Sequence, residues 1–164
     1  MDRATWLKGL FVSAVLLADA TAMAASNDPL ALRQQLVVAI TRGDVNAAAN
    51  LFAEDAVSDG PSTCGLIICI GKAAIRKDLE NRIANQTRAT TLNSYVSGNI
   101  LTTRFQSTNK LTKKAGVDRI IFWAIYEVED NKIKVERMMY ERSDPQTARF
   151  LELLMLDESL QIPK

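Results

Sequence analysis

RGDVNAAANLFAEDAVSDGP (residues 42–61), CGLIIC (64–69) and IGKAAIRKDLENRI (70–83) follow one another almost without a break, and their order decides the fold. Gly43 stops one helix and Asp44 caps the next, where Val45, Ala48, Ala49 and Phe52 fall at the i, i+3, i+4, i+7 spacing of a single apolar face. Glu54-Asp55 closes this second helix. Val57 to Ser62 then reads as a short strand, bent or broken by Asp59, Gly60 and Pro61. After the cysteine loop Gly71 opens a third helix, with Ile75, Leu79 and Ile83 in steps of four. Its Lys72, Arg76, Lys77, Asp78, Glu80 and Arg82 read as a solvated surface.

Outward from this segment the pattern continues on both sides. Upstream, Asn27-Asp28-Pro29 is a helix start, and Leu32, Leu36, Val37, Ala39 and Ile40 give the first helix its apolar face. Downstream of Thr90 the period changes to two. Residues 91–97, 99–109, 117–129 and 132–141 read as strands, the last three as an antiparallel meander. Asp130-Asn131 suits a tight hairpin, since both residues tolerate left-handed backbone, and Lys110, Lys113 and Lys114 decorate a loop that ends at Gly116. In the strand around Phe122 both faces are apolar: Ile120, Phe122, Ala124, Tyr126 and Val128 on one, Ile121, Trp123 and Ile125 on the other. Such a strand is covered twice. The segment from Asp144 to Leu156, with Pro145 at a helix start and an apolar band through Phe150 and Leu154, supplies a cover for this sheet or for another subunit's.

The GDV…LFAEDAV corner followed by IGKAAI resembles the SnoaL-like domains of the nuclear transport factor 2-like superfamily, across about residues 28–142. The resemblance implies an α+β fold: a cone in which three N-terminal helices pack on a curved, mostly antiparallel sheet around a pocket. The C-terminal helix is an addition to that pattern. The chain divides into a signal peptide (1–24), the SnoaL-like domain (25–143) and a C-terminal helical tail (144–164).

The division at residue 24 rests on Arg3 and Lys8, a weakly polar to apolar run from Gly9 to Ala18, and an Ala22-Met23-Ala24 cleavage site. The run is about half the ~20 residues of a spanning helix, so no stable membrane anchor is expected after cleavage. Export places the protein in the periplasm or outside the cell. In that oxidising setting Cys64 and Cys69 are expected to form a disulfide, worth about 2 kcal/mol for so short a loop. With 20 basic and 19 acidic residues interspersed, no single-sign field exists to attract nucleic acid.

The 164 residues contain no histidine. Imidazole triads and histidine-dependent dehydratase or cyclase chemistry are thereby excluded, and any acid or base must be Asp, Glu, Tyr or Lys. Two cysteines alone do not complete a zinc shell, and neither a metal nor another cofactor is expected. The superfamily's ketosteroid isomerases place an aspartate directly before a proline near the acidic corner and a tyrosine on the first helix. Here Gly60 precedes Pro61 and Leu36 stands at the tyrosine's place, so that mechanism survives only if a bulge turns Asp59 inward. The limonene epoxide hydrolases set an Arg between two Asp residues beside a Tyr and an Asn. Asn93, Tyr95, Asp118, Arg119 and Glu141 offer similar types without the spacing.

Two functional classes follow. One is an exported module that binds a small apolar molecule, or a protein partner, through the cone, with Phe122, Tyr126, Met138 and Tyr140 as binding residues and a homodimer as the expected assembly. The other is a carboxylate-dependent isomerase, hydrolase or cyclase that uses Asp59 with Tyr126 or Tyr95.

Overall fold

The computed structural model describes residues 28–60 and 68–156. The expected signal peptide and Cys64 lie outside them. Helix α1 (Pro29–Arg42) begins at Asp28, whose carboxylate accepts the backbone N–H groups of Leu30 and Ala31, and it ends at Gly43 with φ +74°. Asp44 then caps α2 (Val45–Asn50) by accepting from the Ala47 N–H. Both caps are those the sequence predicts.

The next boundary differs from the sequence reading. β1 spans Phe52–Asp59, so Phe52 and Glu54-Asp55 belong to a strand and not to the end of α2. Phe52 pairs in parallel with Ile133, and the Ile133 N–H donates to the Leu51 carbonyl. Pairing with a strand eighty residues away outweighs a helical spacing that ends on one aromatic side chain.

β2 (Cys69–Ile70) adds an edge to β1, followed by α3 (Lys72–Ala84), β3 (Arg88–Ser97) and β4 (Ile100–Thr108). β5 (Ile120–Glu129) and β6 (Lys132–Tyr140) complete one sheet in the order β2-β1-β6-β5-β4-β3, antiparallel throughout except for β1 beside β6. Irregularities in register between Thr91 and Asn93 and between Glu127 and Val128 bend it. Asp130 and Asn131 both adopt positive φ in the β5–β6 turn. Between β4 and β5 a short helix, α4 (Lys110–Lys114), replaces the expected loop. The Asn109 side chain accepts from the Thr112 N–H while the Thr112 hydroxyl accepts from the Asn109 N–H, and this reciprocal cap nucleates a turn that the lysine-rich composition hid.

Helix α1 packs across β3 to β6, and α3 packs on β1 and β2, with Leu36, Phe52, Ile75, Leu79, Leu101 and Ile133 buried between the layers. α5 (Pro145–Leu156) covers its own sheet: Phe150 and Leu154 join Ala115, Val117 and Ile120 in a second apolar cluster at one end of the cone. It is held there by Arg119 donating to Asp144 (2.9 Å) and by the Ile121 N–H donating to the Thr147 hydroxyl (2.8 Å). The outer face of the sheet keeps Tyr95, stacked on Trp123, and the exposed Met139 paired across from that tryptophan. No helix among the described residues is long and apolar enough to cross a membrane.

Candidate binding cavity

The alternation of β5 and β6 aims Phe122 and Tyr126, and Glu136, Met138 and Tyr140, toward the helices. Between these side chains and α1, α3 and α5 lies a cavity of about 160 Å³. Its walls are mainly apolar: Leu36, Val37 and Ile40 from α1, Phe105 from β4, and Phe150 and Leu154 where α5 closes one end. Phe105, Phe122 and Tyr140 form a continuous aromatic row, with ring centroids 5.3 Å and 5.8 Å apart.

The other end is charged and buried. Glu136 is 0% exposed and Asp78 2%. Arg82 bridges them: its Nε donates to Asp78 Oδ2 at 2.6 Å, and its two terminal nitrogens donate to the Glu136 carboxylate at 3.0 and 2.7 Å in a fork. Ser58, buried on β1, donates its hydroxyl to Glu136 Oε2 at 2.7 Å. Tyr126, directly opposite Glu136 in the β5–β6 register, shares a hydrogen bond with it. Burial alone would raise the Glu136 pKa, but the charge of Arg82 and the hydrogen bonds from Arg82, Ser58 and Tyr126 outweigh it and hold the carboxyl below its ordinary value. Burial, reinforced by Glu136, pushes the Tyr126 phenol well above its usual range, so it remains a hydrogen-bond donor. The guanidinium of Arg82 is likewise held charged, its two carboxylate partners outweighing burial.

The four residues assigned to ligand binding from the sequence, Phe122, Tyr126, Met138 and Tyr140, all line this cavity. Asp59 and Tyr95 do not. Ser58 takes the inward place on β1, so Asp59 points outward; its side chain is 43% exposed and lies 3.7 Å from Arg137. Tyr95 is 60% exposed on the outer face, where its hydroxyl accepts from Asn93. Glu141 pairs with Arg104, and Arg119 with Asp144, in bridges between neighbouring elements. The expected solvated surface of α3 is corrected by Asp78 and Arg82, which turn into the fold. A signal for this was present: residues 75, 78, 79 and 82 form one helical stripe, and Glu136 shares the strand parity of Met138 and Tyr140.

Among the described residues no three carboxylate, cysteine or histidine side chains converge to hold a metal ion. What the arrangement provides is an apolar chamber ending in a fixed carboxylate–guanidinium–carboxylate cluster, beside a phenol that keeps its proton.

A helical layer closing one face of a bent sheet around a cavity defines a cone-shaped protein of the nuclear transport factor 2-like kind. The chain belongs to the SnoaL-like domain family, whose profile matches residues 33–136. Solved structures agree on the fold. The epoxide hydrolase/cyclase-like enzyme SalBIII, which has a role in pyran ring formation in the polyether salinomycin, superposes with a TM-score of 0.60 at 15% identity, covering 72% of this chain and 96% of its own. A limonene epoxide hydrolase-like epoxide hydrolase from Mycobacterium tuberculosis gives 0.57 at 16% identity over 78% and 95%. An NTF2-like protein of unknown function from Cytophaga hutchinsonii gives 0.57 at 14% identity over 70% and 91%. No curated protein sequence matches the chain.

Proposed function

We propose that the chain is an exported binding protein for a small, mainly apolar molecule with one polar end, held in the cone with that end against the Asp78–Arg82–Glu136 cluster. The observation that carries this reading is the cavity of about 160 Å³, mainly apolar along its walls and charged at one end. Apolar cavities of ~150 Å³ bind molecules the size of benzene, which sets the scale of the occupant. Polar groups fixed at one end of an apolar chamber give orientation, while the aromatic row gives contact area. A thermal-shift screen of the mature protein against short-chain alcohols, acids, ketones and aromatic compounds tests it. A saturable rise in melting temperature with at least one class is expected, and no rise with any class contradicts the reading.

Export is supported by the sequence pattern before Ala25, and it implies a bridge from Cys64 to Cys69, the latter buried on β2 against the core. An unreduced peptide map of protein recovered from the periplasm or medium should begin at Ala25 and contain Cys64 linked to Cys69. A chain that retains residues 1–24, or two cysteines that alkylate freely, would refute it.

A second reading is favoured by one feature, an arginine set between two carboxylates beside a tyrosine. At this cluster a carboxylate-dependent hydrolase, isomerase or cyclase would use Asp78 to take a proton and Tyr126 to donate a hydrogen bond to the substrate oxygen. Glu136, saturated by Arg82, Ser58 and Tyr126, would position the others. Turnover of a small epoxide or ketone that is lost in Asp78→Asn, with the ligand affinity retained, supports this reading. Binding without turnover leaves the first.

A further inference from the structure

The charged end of the cavity has committed most of its hydrogen-bond donors to its own carboxylates. Tyr126 keeps its phenolic proton and gives it to Glu136, and the Ser58 hydroxyl donates to the same carboxylate. Arg82 spends three of its five N–H groups there, Nε on Asp78 and the two terminal nitrogens on Glu136. Lone pairs on the Asp78 and Glu136 carboxylates and on the phenol and serine oxygens therefore outnumber the donor hydrogens at this end. Glu136 is crowded by Arg82, Ser58 and Tyr126, which leaves the Asp78 carboxylate and the phenol oxygen as the acceptors that line the chamber.

Charge narrows the choice further. The charged residues of the lining are two carboxylates, Asp78 and Glu136, against one guanidinium, Arg82, so an anion entering this end meets more repulsion than attraction. A cation gains little in exchange. Arg33, buried on α1 outside the lining and stacked on the Phe105 ring, puts a second positive charge near the Tyr126 phenol and offsets the excess carboxylate. An ion of either sign would give up its hydration without finding a net counter-charge in the apolar chamber.

We propose that the polar end of the ligand is an uncharged hydroxyl that donates its proton to the Asp78 carboxylate, and that the ligand class is a small alcohol. The proposal rests on the binding function above and adds the chemistry of the head group at the same end of the cavity. A hydroxyl supplies the donor that this end lacks and brings no charge. A ketone of the same shape supplies only a further acceptor, facing two carboxylates.

Cyclohexanol, cyclohexanone, cyclohexylamine and cyclohexanecarboxylate share a six-membered ring of the size the cavity holds and differ in the head group. Titration calorimetry at pH 7 on the mature protein should rank cyclohexanol first, about tenfold tighter than cyclohexanone, the factor expected for one added hydrogen bond to a charged acceptor. Asp78→Asn should bring the alcohol and the ketone to within about twofold of each other and improve binding of the carboxylate, because a negative charge has gone. Should that variant fold poorly, Asn81→Asp provides the converse, since a carboxylate added to the lining should raise the affinity for cyclohexylammonium about tenfold. A ketone, amine or acid that binds as tightly as the alcohol overturns the head-group assignment while the binding function stands, and so does an unchanged ranking in both variants. Binding of other compounds in the thermal-shift screen with no binding of cyclohexanol has the same meaning. A screen in which nothing binds overturns the two together.

Discussion

Glu136 sits at the lowest point of the cavity with four hydrogen bonds to three side chains, so its charge state is tied to the fold. Its pKa is depressed in the folded state. The stability it contributes is therefore complete above the ordinary glutamate value of about 4.3 and is lost as pH falls through the depressed folded value. Glu136→Gln should cost about 3–5 kcal/mol at pH 7, the range for breaking a buried ion pair, and should flatten the acid limb of stability against pH. Denaturation in urea from pH 3 to 7 measures both. An unchanged acid limb would show that the carboxylate is not held as described. The apolar half of this site was legible, because Phe122, Tyr126, Met138 and Tyr140 follow strand parity. Its charged half was missed because Asp78 and Arg82 lie in a helix rich in charges, where composition resembles a solvated face. Glu136 was overlooked beside Arg137 although its parity matched Met138. Neither the hydrogen bond between α3 and β6 nor the inward turn of Ser58 has a signature in local sequence, since each depends on which elements end up adjacent.

Among the elements, those set by local chemistry were readable and those set by partners were not. The caps at Asp28, Gly43 and Asp44 and the Asp130-Asn131 turn need only neighbouring residues, and they are where the sequence places them. β1 starts at Phe52 because β6 is there to pair with it, and a helical spacing could not reveal that. α4 is an intermediate case, for its reciprocal cap is local but was outweighed by a lysine-rich run ending in glycine. Asn109→Ala removes the side chain that accepts the Thr112 N–H and should destabilise the protein by about 1 kcal/mol. Equilibrium unfolding measures this. Because α4 brings Leu111 to the cavity wall, the same variant should weaken ligand binding modestly, whereas a variant as stable as wild type would mean that the cap does not fix this helix.

At the scale of the whole molecule, α5 closes one end of the cone and leaves the outer sheet face with Tyr95, Trp123 and Met139 uncovered by the described chain. We propose that a second copy covers this face. Sedimentation of the mature protein should give a dimer, and Tyr95→Arg a monomer of similar melting temperature; a monomeric wild type at tens of micromolar would contradict it. The central claim, however, concerns the inner face, and methionine provides a direct probe. Met138 lines the cavity while Met139, its neighbour in sequence, lies on the outer face. Methyl-labelled methionine spectra recorded during titration with the compound that raises the melting temperature most in the thermal-shift screen should show a saturable shift of Met138 and a still Met139, and the Met138 shift should vanish when Ala89→Phe fills the cavity. A Met138 signal that stays fixed during the titration, or that moves equally in the filled variant, would contradict the account.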